Sequence, residues 1–485
     1  MESSRDVRQP KGLFLLFFTE MWERFGFYTL QTIIVLYMSQ ALHYSDEKTF
    51  LLYGAFGSLI YFTPVIGGYL ADRLIGFQQS IQIGGILYIL GYILTALPYE
   101  NTFFFGLSTV ILANGFFKPN VSSLLGELYQ REDPRRDSGF TIFYMGINIG
   151  SLMPPMVTGI LVSRYGWHWG FLLAAVGMSL GMIIFLAGKA RLQMAGDVPE
   201  ISPIRKNVSA KRIYYFWLAV GILAAIFLMH YVFYFPKEAD ILMIAASILI
   251  VVQVMRVMLR ENPERRRNMF ACLVLMLIAV VFWAFYSQMY TSLMLFASRN
   301  MNRQMLGLPI DTEFTQFFNP FFIIVLSPVL SRFWIFLARR NANPTTPMKF
   351  SMGVLSMAFA FLFLSGAISL FSNEGMLSPW WLACNYFFFT IGELLLSPIG
   401  LSMVTRLAPP NFVGMMMGIW FLMTSLGYLM GSLFATMANV PKEAAANVSL
   451  PIYSHAFTVF GALAMAAALV SFMLVPYLKK LILIK

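Results

Sequence analysis

Residues 11–40 read KGLFLLFFTEMWERFGFYTLQTIIVLYMSQ, and from Gly12 onward only Glu20, Glu23 and Arg24 carry charge. A run of this length covers the roughly 20 apolar residues a helix needs to cross a hydrocarbon layer, within which every backbone N–H and C=O must be bonded inside the segment. Comparable runs recur along the whole chain. Reading outward between polar breaks, spans are predicted near 12–40, 50–72, 79–98, 102–127, 139–163 and 168–188. Two more lie near 211–234 and 239–258, and six follow near 268–297, 314–337, 348–371, 379–405, 412–436 and 453–478.

The composition agrees, with 58% hydrophobic and 12% charged residues against about 25% charged in soluble domains, and a mean hydropathy of +0.70. The polar start MESSRDVRQP is followed by an apolar run too long for a signal peptide, so no cleaved leader is expected. Net charge is +11, which by itself could suggest nucleic-acid binding. Its distribution argues otherwise. With the N-terminus inside, the outer loops hold only Lys48, Arg164, Lys237, Arg299, Arg303 and Lys442, and Arg24 and Lys118 lie within spans. The remaining Lys and Arg fall on the inner side, as expected for short cytoplasmic loops. Both termini are expected in the cytoplasm, the partner of the basic face is a lipid bilayer, and no nucleic-acid role is expected.

Domain organisation follows: a six-helix bundle over 1–188, a cytoplasmic linker with two extra transmembrane helices over 189–267, and a second six-helix bundle over 268–485. Two six-helix halves suit a carrier whose bundles rock about a midplane site. Pro64, Pro119, Pro154, Pro155, Pro320, Pro328 and Pro398 interrupt spans, either bending helices around a cavity or serving ordinary packing. Cys272 and Cys384 lie in apolar spans and are read as core residues.

Charges inside spans carry the functional information, since each costs about 2.5–3.5 kcal/mol at a helix centre even on insertion scales. Glu20 lies three residues before Glu23 and four before Arg24, placing all three on one helix face. Two carboxylates beside one guanidinium allow one acid to stay paired while the other exchanges a proton; the cluster also reads as a structural ion-pair network. Lys118 in the fourth span needs a counterion, and Glu393 in the tenth is its opposite in the other half. A cavity with Lys118 on one wall and Glu393 on the other would match a zwitterion end to end. Asn148 and Asn319 read either as ligand-binding amides or as helix bridges. Tyr28, Tyr61, Trp283 and Trp420 could wall a pocket, or could be core or lipid-facing aromatics in a chain so rich in them. HExxH is absent, and no nucleophile is paired with His, so an enzyme is not expected. The asymmetric charges also argue against a pore, which would want a ring.

These residues carry a resemblance. Glu20-Met-Trp-Glu23-Arg24-Phe25 fits an E-x-x-E-R-F signature, GGYLADRLIG over Gly67–Gly76 places Asp72 and Arg73 in an inner-loop gating motif, and Lys118-Pro119-Asn120 forms a KPN element. FYMGINIGSL over Phe143–Leu152, GELLLSPIGLS from Gly392 and the Trp420 region complete the series. Together they resemble the proton-dependent oligopeptide transporter family of the major facilitator superfamily, in its bacterial type with two extra helices. The resemblance covers nearly the whole chain. It implies an all-α membrane protein with the major facilitator fold and about 14 transmembrane helices, working as a monomer in a bacterial inner membrane.

By the same resemblance, the activity is proton-coupled import of di- and tripeptides by alternating access, with protons as coupling ion and no other cofactor or metal. A carrier of the same fold moving another solute, such as an amino acid, nitrate or a peptide-like drug, is the alternative. Glu20, Glu23, Arg24 and Lys118 are then expected to couple protons, Arg24 and Lys118 to attract the peptide carboxylate, and Asn148, Asn319 and Glu393 to hold its amino end. Tyr28, Tyr61, Trp283 and Trp420 would line the pocket. Three positions depart from the family pattern: Ser287 replaces an acid common four residues after the Trp283 position, Gln31 replaces a basic residue, and Phe27 replaces the first Tyr of a pair.

Overall fold

The computed structural model describes residues 8–130, 133, 135–192, 195–199, 202, 208–409, 413–442 and 444–482. Among them sixteen α-helices run in order: α1 Lys11–Leu36, α2 Asp46–Leu70, α3 Phe77–Thr95, α4 Glu100–Glu127, α5 Arg136–Leu152, α6 Pro154–Tyr165, α7 Trp167–Gly188, α8 Val208–Val232, α9 Pro236–Arg260, α10 Pro263–Tyr286, α11 Ser292–Asn300, α12 Phe318–Arg339, α13 Thr346–Phe371, α14 Pro379–Leu407, α15 Val413–Ala435 and α16 Ala446–Leu481. Because α5 with α6 and α10 with α11 are each one interrupted span, the sixteen helices form fourteen membrane-length segments, matching the sequence reading. Twelve are apolar enough to cross a membrane on composition alone. The other two, α1 and α4, are the segments that carry Glu20, Glu23, Arg24 and Lys118.

The interruptions have local causes. Pro154 and Pro155 open α6, where the missing N–H groups and the ring cannot continue α5. Between α10 and α11, a 3-10 turn over Ser287–Tyr290 ends at Thr291. The Gln288 amide spans this break, donating to the Ala284 and Gly431 carbonyls and accepting from the Ser292 hydroxyl. Pro64, Pro119, Pro328 and Pro398 lie inside helices. Among the described residues one strand pair forms, Gln304–Met305 with Leu308–Pro309, antiparallel and closed through Leu306 and Gly307, both at positive φ. Two left-handed residues in a two-residue loop make a hairpin turn whose twist suits the strands.

Contacts gather the chain into two compact units. The first holds residues up to Ile33 and Phe62–Tyr234, and the second holds Ile34–Tyr61 and everything from Phe235. The inserted pair is thus divided at Tyr234, with α8 in the first unit and α9 in the second.

In the first unit, α3 lies against α4 and α7, and α4 also carries α8. Helices approach through glycine. A Cβ on Gly67 would stand 2.0 Å from the Gly115 carbonyl oxygen, so α2 and α4 cross backbone to backbone. On α5, a Cβ at Gly150 would meet the Met21 carbonyl at 2.2 Å and the Arg24 Cβ at 3.0 Å, which seats the FYMGINIGSL segment directly on α1.

In the second unit, α13 packs on α14 and α16, α10 on α15, and α12 on α14. Asp46, at the start of α2, receives two hydrogen bonds from Arg299 of α11 at 2.6 and 2.7 Å and one from the Val440 amide at 3.1 Å. Arg299 also donates to the Tyr453 hydroxyl at 2.8 Å, so four chain segments meet at one ion pair. Cys272 is buried, whereas Cys384 is exposed on α14 and is not a core residue.

Candidate functional site

The acidic signature folds as its spacing demands. Glu20, Glu23 and Arg24 lie on one face of α1 and are all buried. Arg24 grips Glu23 with its Nε and, at 2.6 Å, its Nη2, so both Glu23 oxygens accept. Glu20 is held more loosely. One of its oxygens stands 3.4 Å from the Arg24 Nε, and the other is buried with no hydrogen-bond partner among the described residues. The guanidinium carbon also lies 5.0 Å from the Phe27 ring centroid, so phenylalanine at this position offers Arg24 a π face in place of a hydroxyl.

Lys118, half-buried on α4, comes within electrostatic reach of Arg24, Glu23 and Glu20. The four charges singled out in the first half therefore form one cluster. The sequence reading missed its phenolic wall: Tyr88 and Tyr92 of α3 are fully buried, stacked at 5.5 Å, and in electrostatic reach of Glu23. Tyr88 donates to the Asn114 side chain of α4 at 2.9 Å. The four-residue spacing of the tyrosines within the third span was the available signal.

A second cluster forms in the other unit around Glu393 of α14. One of its oxygens accepts from the Tyr286 hydroxyl at 3.0 Å and from the Asn319 amide at 2.9 Å; that amide also lies 3.2 Å from the Thr390 hydroxyl. Asn319 is held here by the first turn of α12 and Tyr286 by the last turn of α10. Tyr286 and Thr390 went unread, although each lies three residues from a residue that was read, Trp283 and Glu393. Trp283 packs edge-on against Tyr286 at 5.1 Å, and its buried indole N–H has no hydrogen-bond partner among the described residues.

The remaining predicted residues are placed as follows. Asn148 turns its amide back to the Tyr144 carbonyl of its own helix at 2.9 Å. Tyr28 is half-buried against Phe27. Tyr61 stacks on Tyr428 at 4.9 Å, with the hydroxyls 3.5 Å apart. Trp420 is buried with its ring against Gly400, where a Cβ would come within 2.0 Å. Asp72 and Arg73 are exposed on a π-helical turn, Ala71–Ile75, that closes on Gly76 at φ 78°. Ser287 is buried, its hydroxyl donating to the Ala284 carbonyl and lying where a Cβ on Gly431 would meet it at 1.8 Å; Gln31 is buried too. Lys118 and Glu393 belong to different units, each with the partners just described.

Fourteen membrane-length segments with buried acids, a guanidinium and an ammonium define a multi-pass membrane carrier, because charge is retained in such helices where ions or charged solutes move. The POT family model matches residues 78–451. Dipeptide and tripeptide permease B of Salmonella typhimurium is 34% identical over 480 residues, covering 98% of this chain and 97% of its own length; the Aeromonas hydrophila permease of that name is 33% identical, covering 98% and 94%. Among solved structures, a variant of peptide transporter POT bound to alafosfalin superposes with a TM-score of 0.84 at 32% identity over 98% of this chain and 96% of that one. A POT family transporter in complex with 5-aminolevulinic acid gives 0.84 at 26% identity over 98% of each chain. The chain belongs to the POT family, a family of transporters and not of enzymes, and it has the major facilitator type of fold.

Proposed function

We propose that this protein is a proton-coupled symporter that imports di- and tripeptides by alternating access. Its relatives are named as dipeptide and tripeptide permeases, and its own buried charges supply the chemistry. The observation that carries the reading is the unequal binding of two acids on α1: Glu23 is gripped through both oxygens while Glu20 keeps one oxygen unpartnered.

Glu20 is therefore the proton carrier, and Glu23 holds Arg24 in place. With serine at 287, α10 and α11 offer no carboxyl after Trp283, so coupling rests on the first-unit cluster. Protons are the coupling ion, and no other cofactor is needed. Arg24 and Lys118 draw the peptide carboxylate, and Glu393, positioned by Asn319 and Tyr286, takes the amino group. Asn148, Tyr28, Tyr61, Trp283 and Trp420 shape the pocket, and Asp72 with Arg73 controls the inner side. The bundles over 1–188 and 268–485 move, joined by the linker over 189–267. One chain suffices, set in a bacterial inner membrane with both termini in the cytoplasm.

The test is uptake of a labelled dipeptide into proteoliposomes with and without an inward proton gradient, for the parent and for Glu20→Gln. The parent should concentrate peptide only with the gradient. Glu20→Gln should lose that response yet still exchange internal for external peptide. A parent that ignores the gradient, or a variant that keeps the full response, removes the assignment of coupling to Glu20.

A further inference from the structure

The connection between α9 and α10 concentrates charge that the transport reading leaves unused. Arg256, Arg260, Arg265, Arg266 and Arg267 fall within twelve residues, all five exposed, against Glu261 and Glu264 alone. Of these five, only Arg265 forms an ion pair among the described residues, a loose 3.5 Å contact with Glu261. Arg256, Arg260, Arg266 and Arg267 form no ion pair with a carboxylate among the described residues.

Their surroundings fix what could occupy them. On the same two helices, Val252, Met255, Leu259 and Phe270 are large, apolar and exposed. α9 and α10 are both long and apolar enough to cross a membrane, which would set those side chains against acyl tails and the arginines beside them at headgroup depth. A guanidinium fork matches a phosphodiester through two parallel hydrogen bonds, and each basic residue at a charged bilayer surface adds to the attraction. Both helices lie in the second unit, so the patch belongs to one compact body.

We propose that this connection docks anionic phospholipid headgroups and thereby anchors the second unit to the charged leaflet. The inference is independent of what solute the protein carries. The occupant is a lipid and not free phosphate, because the donors border exposed apolar surface.

The test uses the full-length chain in detergent micelles, offered equal phosphatidylglycerol and phosphatidylcholine, with retained lipids counted by native mass spectrometry. The parent should retain phosphatidylglycerol several-fold over phosphatidylcholine. Changing Arg256, Arg260, Arg266 and Arg267 together to Gln should cut phosphatidylglycerol retention roughly tenfold or more and leave phosphatidylcholine unchanged, as expected when four such attractions are lost. Four Lys replacements should keep part of the preference, since charge survives and the fork does not. If the four-Gln chain does not fold, high salt on the parent supplies the measurement, because exposed charges are screened and the preference should collapse. An unchanged lipid ratio in the four-Gln chain, a preference indifferent to salt, or full displacement of the lipid by millimolar inorganic phosphate would overturn the proposal.

Discussion

At Glu20 and Glu23 the same side chain serves two ends, and the partner geometry separates them. Glu23 completes a bidentate pair with Arg24 in a buried setting, and removing one member of such a pair costs about 3–5 kcal/mol, because the other charge stays desolvated. Glu23→Gln should therefore lower the melting temperature of the purified protein markedly, whereas Glu20→Gln should leave it nearly unchanged and affect coupling instead. Equal destabilisation by both would contradict the division of labour. On the other side, Glu393 depends on Tyr286 and Asn319 for its orientation. Tyr286→Phe deletes one hydrogen bond to a charged acceptor, a loss of about 1.5 kcal/mol or more, so the KM for a dipeptide should rise about tenfold at constant folding. An unaltered KM would place the Tyr286 hydroxyl outside the binding event.

Helix crossings set where those residues stand. The Gly67 position of the inner-loop motif admits no side chain, since its Cβ would enter the Gly115 backbone. Gly67→Val should force α2 from α4, an overpacking cost of about 1–3 kcal/mol, and lower both thermal stability and transport; parent-like melting would show that the crossing can relax. Asp46 and Arg299 act at a comparable scale, tying the start of α2 to α11, to Tyr453 of α16 and to the Val440 backbone. Asp46→Asn leaves Arg299 without its carboxylate partner and should cost about 2–4 kcal/mol, read as a drop in melting temperature that Arg299→Gln reproduces and that the double variant does not deepen. Additive losses would mean that the two residues act independently.

For the whole molecule, orientation follows from loop charge. Single cysteines placed in the α9–α10 connection and in the loop after α11 should label from opposite sides of sealed vesicles, as the Lys and Arg distribution requires. Labelling from one side would undo the topology.

The helical segments were legible because each must satisfy its own backbone in oil, which writes every span as an apolar run whatever its neighbours are. The first-unit charges were legible for a related reason: Glu20, Glu23 and Arg24 share a helix, so spacing alone sets their face. Sequence separation hid the rest. Tyr88 reaches Glu23 from another helix, Tyr286 and Asn319 reach Glu393 from two others, and the Asp46–Arg299 pair spans 253 residues. No periodicity encodes those meetings, because they depend on how glycine faces let helices cross. The sequence by itself determined the segments, their order and the identity of the charges held within them. Only the tertiary structure decided which acid is gripped, which is left with an open oxygen, and which neighbours hold Glu393, since hydrogen bonds are made at 3 Å and helix packing alone brings distant residues that close.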